Sequence, residues 1–261
     1  MSVELESVKG DVAVANRLLT EFGLASGVRA SLGHASMRVP GEPDKFVVKG
    51  RGYRIDELSR MRPEDMVVCD LEGNWLDGPA GSLQCHEVKI HSCIYGKRPD
   101  VQSVVHVHPK FTVLLSVLGK TLVPMAQEGI RFNDGQTVQK PLPVYPHTKT
   151  VVTEEEGQEV AGLLDAGSAV LLLGHGAVTV GKDLEQAVMI MVHLEHQAEY
   201  NYYALLAAGR DHPHIPEKNV EHMAQPSMTE PHFQSRLAAM GGRRGGGNLW
   251  DVMSQRVWED L

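Results

Sequence analysis

Residues 104–109, Val-Val-His-Val-His-Pro, set two histidines two positions apart inside an apolar run. In a strand successive side chains alternate faces, so His106 and His108 share one face while Val105 and Val107 take the other. The stretch therefore reads as a strand carrying half of a metal site. Neutral imidazole is a good ligand for zinc, iron, manganese or cobalt, and a facing pair supplies two of the three or four ligands such a site needs. A His-x-His strand also occurs as a buried or an exposed polar pair, so the rest of the chain has to complete the site.

The 261 residues can bury a sizeable core in one large domain or two small ones. A composition of 42% hydrophobic and 22% charged residues is that of an ordinary globular protein and excludes global disorder. The net charge of −8 leaves no basic surplus to displace counterions from a nucleic-acid backbone. No run of about eighteen apolar residues offers a membrane span, and no basic-then-apolar segment follows Met1. The expected compartment is the cytoplasm, with neither nucleic acid nor membrane as partner. Cys69, Cys85 and Cys93 are odd in number and lack a Cys-x-x-Cys pair, and read as structural thiols.

Apolar residues recur at helical spacing from Glu6 to Phe22, with Gly23 as the stop. Strands are expected at Gly33–Pro40, Lys45–Val48, Met66–Asp70 and Leu122–Met125, with Asn74–Leu76 as the return of a hairpin. Further helices are expected at Glu87–Tyr95, Lys110–Leu118, Glu154–Leu164 and Leu184–Ala208, the last capped by Asp183 and ended by Gly209. Three acids open the Glu154 helix, where the helix dipole favours them. Residues 129–146 read as a Gly- and Pro-rich loop. Beyond Gly209 come a His/Pro turn at Asp211–Pro216, a Gly/Arg hinge at Gly241–Gly247 and a short amphipathic helix at Trp250–Leu261. Trp250 and Trp258 could dock over a neighbouring site or pack on their own subunit.

Ala169–Leu173 is a fully apolar strand that runs into Gly174-His175-Gly176. Flanking glycines leave the imidazole room and let the backbone bend, which suits a third ligand arriving from a separate segment. Glu87, at the start of the helix before the histidine strand, is the candidate acid/base. A carboxylate beside an open coordination position can move protons; alternatively it complements the helix dipole. Lys49-Gly50-Arg51-Gly52 is a basic, flexible turn that offers an anion seat, or a solvated turn.

Three groups of residues together resemble the class II aldolase/adducin family: Glu87-x-x-x-His91, Arg98-Pro99-Asp100-Val101 leading to Val105-His106-Val107-His108, and Leu173-Gly174-His175-Gly176. The resemblance covers most of Glu6 to Gly209. It implies an α/β fold of three layers, α/β/α, with a central, mainly antiparallel sheet. That fold would form a single domain over residues 1–209 with a C-terminal extension over 210–261. It implies His106, His108 and His175 as ligands of one divalent ion per subunit (zinc, manganese, cobalt or iron), Glu87 as the proton-transferring carboxylate, and a homotetramer with sites between subunits. Tyr145, in Leu142-Pro143-Val144-Tyr145-Pro146, looks like a family tyrosine that reaches a neighbouring subunit's site as proton donor.

The chain departs from the sugar-phosphate aldolases where their hydroxyl donors hold the phosphate. Those enzymes carry Gly-Asn-x-Ser, a Thr-Pro-Ser-Gly-like turn and a Ser-Ser pair before the glutamate. Here stand Gly33-His34-Ala35-Ser36, Lys49-Gly50-Arg51-Gly52 and Cys85-His86. The substrate contacts are thus expected from His34, Ser36, Lys49, Arg51 and His86. A fork-shaped guanidinium matches a carboxylate, so a carboxylate-bearing small molecule is expected. The resulting reading is a metal-dependent carbon–carbon lyase, a decarboxylase or aldolase, acting on a small hydroxy, oxo or aromatic carboxylate through a metal-stabilised enolate. Two alternatives stand beside it. One is a non-haem iron(II) oxygenase of a hydroxyphenylpyruvate-like or hydroxymandelate-like acid, and the other a non-catalytic adducin-like assembly module.

Overall fold

The period-2 run around His106 forms the middle of a sheet, and the helical periodicities supply the layers on either side. The computed structural model describes residues 3–52, 56–126, 131–133, 136–137, 142–224 and 249–259. In chain order it runs α1 (Val3–Glu21), β1 (Gly33–Val39), β2 (Glu42–Arg51), β3 (Met66–Asp70), β4 (Trp75–Asp77) and β5 (Leu83–Gln84). Then come α2 (Val88–Lys97), β6 (Ser103–Val107), α3 (Lys110–Leu118), the small hairpin β7 (Arg131–Asn133) and β8 (Gln136–Thr137), and β9 (Val144–Tyr145). The chain continues with α4 (Glu154–Leu164), β10 (Ala169–Leu172), β11 (Gly176–Gly181), α5 (Leu184–Ala208), α6 (Glu217–Ala224) and α7 (Leu249–Glu259).

Nine strands make the main sheet in the order β4-β3-β2-β1-β6-β11-β10-β9, with β5 added to β2. Every pair is antiparallel except β9 with β10. Alternation along β6 divides the molecule. Val105 and Val107 join a core built with α1, α3 and α5, whereas Val104 joins a second core built with α2 and α4. The expected three-layer arrangement with a mainly antiparallel sheet is what the chain adopts. His106 projects into the α2/α4 side at the centre of the sheet, opposite His34 of β1 and Val178 of β11.

Local chemistry explains the helix ends. Thr153 accepts from the Glu156 amide at 3.3 Å while the Glu156 carboxylate accepts from the Thr153 and Val152 amides, a reciprocal capping box at α4. Asp183 caps α5 by accepting the Gln186 amide at 2.7 Å. The Arg98-Pro99-Asp100 motif is structural: Arg98 grips Asp100 bidentately at 2.7 and 2.8 Å and donates to the Gly167 carbonyl, tying the end of α2 to the turn before β10.

Leu122–Met125 is not a strand. Its backbone is instead held by side-chain amides of α5, with the Val123 and Met125 amides donating to Asn201 and Gln197 at 3.1 and 2.9 Å. Those buried amides satisfy the polar groups that a partner strand would otherwise satisfy. The Gly241–Gly247 hinge lies outside the described residues. Helix α7 packs on its own subunit: Val257 is buried against Val14 and Leu18 of α1, and the Trp258 ring lies over Gly10. None of the described helices is long and apolar enough to cross a membrane.

Candidate metal centre

Three separate segments converge at the end of β6. His106 is the next-to-last residue of the strand and fully buried; His108 lies one residue beyond its end. His175 sits at the apex of the turn joining β10 to β11, where its amide donates to the Leu172 carbonyl at 3.1 Å and Gly174 takes a φ of +62°. Gly176 is required for the approach. A Cβ there would lie 2.4 Å from the Val107 carbonyl oxygen and 3.1 Å from ring atoms of both His106 and His108.

The ring nitrogens aim at one point. His106 Nδ1 lies 3.0 Å from the Ala177 carbonyl, to which it donates, leaving the Nε2 lone pair directed inward. His106 Nε2 lies 3.1 Å from His108 Nε2 and 3.2 Å from Glu87 Oε2, and the same carboxylate oxygen is 3.6 Å from His175 Nε2. One donor atom from each of the four residues falls within 4.8 Å of all the others. A divalent ion with bonds of about 2.0–2.1 Å in tetrahedral geometry separates its ligands by roughly 3.3 Å, so three nitrogens and one oxygen at these spacings fit such an ion.

Glu87 is the N-cap residue of α2, yet its side chain makes no cap hydrogen bond. The carboxylate instead faces the imidazoles, and its other oxygen accepts the Val151 amide at 2.9 Å. Burial pushes the Glu87 carboxyl up, but the adjacent His106 and His175 rings outweigh this and hold it well below the usual carboxylate range. Burial, with His106 and His175 alongside, lowers His108 to about 3, so its imidazole is neutral and able to ligate.

A cavity of about 320 Å³ opens over Glu87, His108 and His175. Its walls include His34, Lys49, Arg51, His86 and Thr150, so four of the five expected substrate-contacting side chains are brought together. Two expectations need correction. Lys49 is no free cation: its ammonium pairs with the Asp56 carboxylate and donates to the Ser31 carbonyl at 3.1 Å, which uses its charge inside the wall. Ser36 does not line the cavity; one rung deeper in β1 than His34, it is fully buried between His91 and Tyr95. Arg51 lines the cavity with its Nε buried and without a partner among the described residues.

Tyr145 lies away from this cavity. It belongs to edge strand β9, is 1% exposed, and donates to Glu159 Oε2 at 3.0 Å. Burial and then the Glu159 carboxylate push its phenol up to about 12. It does not reach the cavity of its own chain, and its buried hydroxyl is already committed.

The larger cleft, about 510 Å³ between α1, the start of α5 and α7, lies apart from the converging imidazoles. A second cluster, His34, Cys85 and His91, has donor atoms within 4.8 Å but is already closed by a 2.5 Å contact between the two histidines, and burial keeps the Cys85 thiol protonated. His91 was visible in the sequence only through its spacing, four residues after Glu87 and so on the same helical face. The amide of Val151, which orients Glu87, left no sequence signal because any residue supplies one.

A 3,4-dihydroxyphthalate decarboxylase of Arthrobacter keyseri is 30% identical over 207 residues, covering 76% of this chain and 79% of that protein. A 5-methylthioribulose-1-phosphate/5-deoxyribulose-1-phosphate aldolase of Rhodospirillum rubrum is 29% identical over 194 residues, covering 74% and 80%. The crystal structure of an aldolase II superfamily protein from Pseudomonas syringae shares the fold, with a TM-score of 0.77 at 21% identity over 100% of this chain and 95% of that one. The profile of the Class II Aldolase and Adducin N-terminal domain matches residues 10–202, and with the geometry above this places the chain in the class II aldolase and adducin family.

Proposed function

We propose that this chain is a divalent-metal-dependent carbon–carbon lyase whose substrate is a small hydroxylated carboxylate, and that the bond it breaks is the one to a departing carboxyl group. The observation that carries this reading is the convergence of His106, His108, His175 and Glu87 at the floor of an open cavity. The three imidazoles are the ligands, and Glu87 stands where a fourth ligand or a substrate oxygen would sit. A divalent ion held there supplies Lewis-acid stabilisation of negative charge developing on the substrate. Arg51 offers a guanidinium to the carboxylate. As carbon dioxide leaves, the electron pair of the broken bond stays on the substrate carbon, which then takes one proton; Glu87, held as the carboxylate, is placed to take the proton of the substrate hydroxyl first and to pass it to that carbon.

Decarboxylation is preferred over aldol cleavage because the cavity wall carries Arg51 and His34 where sugar-phosphate aldolases carry hydroxyl donors, and because a relative of 30% identity is named as a decarboxylase of an aromatic diacid. We further propose that residues 1–209 form the catalytic domain, that 210–261 are an extension docked on it, and that the working unit is a homotetramer.

The test combines metal analysis of anaerobically purified protein with a panel of hydroxylated aromatic carboxylates, while carbon dioxide and oxygen are monitored. Stoichiometric metal and carbon dioxide release without oxygen uptake are expected. Oxygen uptake coupled to turnover, with iron preferred, would make the chain an oxygenase, and protein without tightly bound metal would make it an assembly module. His106→Ala is expected to lose both metal and activity, and full metal occupancy in that variant would refute the ligand assignment. Glu87→Gln is expected to keep metal and slow turnover by about 100-fold.

A further inference from the structure

Behind the cavity a chain of four side chains runs between the sheet and α2. His34 Nδ1 lies 2.5 Å from His91 Nε2, His91 Nδ1 lies 2.6 Å from Ser36 Oγ, and Ser36 Oγ lies 2.7 Å from the Tyr95 hydroxyl. His91 and Ser36 are fully buried, Tyr95 and His34 nearly so, and His34 alone of the four lines the cavity. The proposed function gives no role to His91, Ser36 or Tyr95.

Each hydroxyl has one proton to give, and when His91 donates to Ser36 that hydroxyl must place its own proton on Tyr95, because Ser36 Oγ has no other acceptor among the described residues, so two directions remain. In one, His34 donates to His91, His91 to Ser36 and Ser36 to Tyr95, and Tyr95 must then donate to its remaining acceptor, the Gln102 carbonyl, at 3.5 Å. That distance lies beyond the range of an O–H···O hydrogen bond, so a buried hydroxyl proton would be left poorly placed. In the other direction Tyr95 donates to Ser36 at 2.7 Å, Ser36 to His91 Nδ1, and His91 Nε2–H to His34 Nδ1, and every short contact has one donor and one acceptor. His34 then carries its proton on Nε2.

We infer that Tyr95, Ser36 and His91 are positioning residues that fix His34 as a hydrogen-bond donor toward the cavity, so that the site selects a ligand presenting an oxygen acceptor, a carboxylate or other oxyanion, beside the metal ligands. The inference rests on the lyase reading for its ligand class, but the direction of the chain does not. A donor Nε2–H facing the cavity welcomes an oxyanion and rejects an ammonium or amide N–H of similar shape. A site built to pair one partner disfavours the other because two donors are left facing each other.

Neutron diffraction from deuterium-exchanged crystals of the full chain reads the direction without any assay of activity. Deuterium on His34 Nε2 and His91 Nε2, with the Ser36 deuteron on the line to His91, is expected. Deuterium on His34 Nδ1 would overturn the inference. The selection is read by binding of 3,4-dihydroxybenzoate against 3,4-dihydroxybenzylamine to the metal-loaded protein. Ser36→Ala removes the group that sets the direction, and its preference for the carboxylate is expected to fall by about tenfold or more. Tyr95→Phe removes the hydrogen bond on the other side of Ser36 but leaves Ser36 with only His91 as acceptor, and it is expected to keep the preference. A purely structural role would move both variants alike, and equal effects in the two would sink the idea. Should Ser36→Ala not fold, Ser36→Thr, which keeps the hydroxyl, and the Tyr95→Phe neutron map decide: loss of the Nε2 deuteron in either counts against it. Absence of binding by either probe, with the Nε2 deuteron present, would refute the lyase reading while leaving the chain direction standing.

Discussion

Gly176→Ala is a test of how tightly the fold and the metal centre are coupled. The added methyl would stand 2.4 Å from the Val107 carbonyl oxygen and 3.1 Å from His106 Cε1 and His108 Cδ2. The carbonyl belongs to the backbone of β6, the rung where Val107 pairs with Ala177, and contacts under 3.0 Å do not occur, so β6 and β11 must part at that rung. Parting them also strains the hydrogen bond from His106 Nδ1 to the Ala177 carbonyl, which aims the nitrogen proposed as a metal ligand. Overpacking of a well-filled site costs about 1–3 kcal/mol, and loosening a hydrogen bond that orients a metal ligand costs about 10–100-fold in metal affinity. For a chain of this size the stability loss corresponds to a fall in Tm of about 2–12 °C. Scanning calorimetry of the metal-free protein and a competition titration with a chromogenic chelator read the two effects. Gly162→Ala is the control: it lies within α4, with only the tip of Lys97 at 3.5 Å from the new methyl, and should gain about 0.5–1 kcal/mol from helix propensity. If Gly176→Ala kept both wild-type Tm and wild-type metal affinity, the packing argument for the centre would be wrong.

Three further expectations follow from other parts of the molecule. Lys149 and the Thr153 and Val152 amides hold the Glu156 carboxyl down to about 2, below the ordinary value of 4.5, so its contribution to stability is complete above pH 4.5 and is lost as pH falls toward 2; Glu156→Gln should flatten that part of the stability curve, and an unchanged acid limb would remove Glu156 from the account. Asn201→Ala leaves the Val123 amide and carbonyl without their partners and should cost about 1–3 kcal/mol in urea unfolding, whereas a wild-type midpoint would mean that other groups take over. Light scattering should give four times the 28.6 kDa chain mass, and a monomer at micromolar concentration would contradict the tetramer.

Much of the candidate centre is legible in the sequence because its members carry local signals. His106 and His108 are separated by one strand period, His175 is flanked by the glycines that a crowded turn needs, and Glu87 stands one helical turn before His91. The depth of Ser36, the paired charge of Lys49 and the burial of Tyr145 escape the sequence for a shared reason. Period 2 puts Ser36 on the face of His34 but does not say that it lies one rung deeper, under α2 rather than in the cavity. A lysine beside glycines reads as an open cation until Asp56, seven residues on, folds back to pair with it. Tyr145 is buried by a parallel pairing with β10 across an intervening helix, a contact that local pattern does not encode.

Local covalent chemistry therefore settled most of the helices and the central strands, though not Leu122–Met125 or the short strands within residues 129–146, and it settled which face of β6 carries nitrogen and where the backbone must pass close to the imidazoles. These follow from steric and periodic rules that act over a few residues. What the tertiary fold decided was distance across elements: that His106, His108, His175 and Glu87 share a floor within 4.8 Å, that Lys49 is neutralised, and that a buried chain of hydroxyls and imidazoles stands behind His34. Those facts depend on strand order and on the depth of each rung beneath a helix. Both are set by the packing of the two cores rather than by any neighbour in the chain.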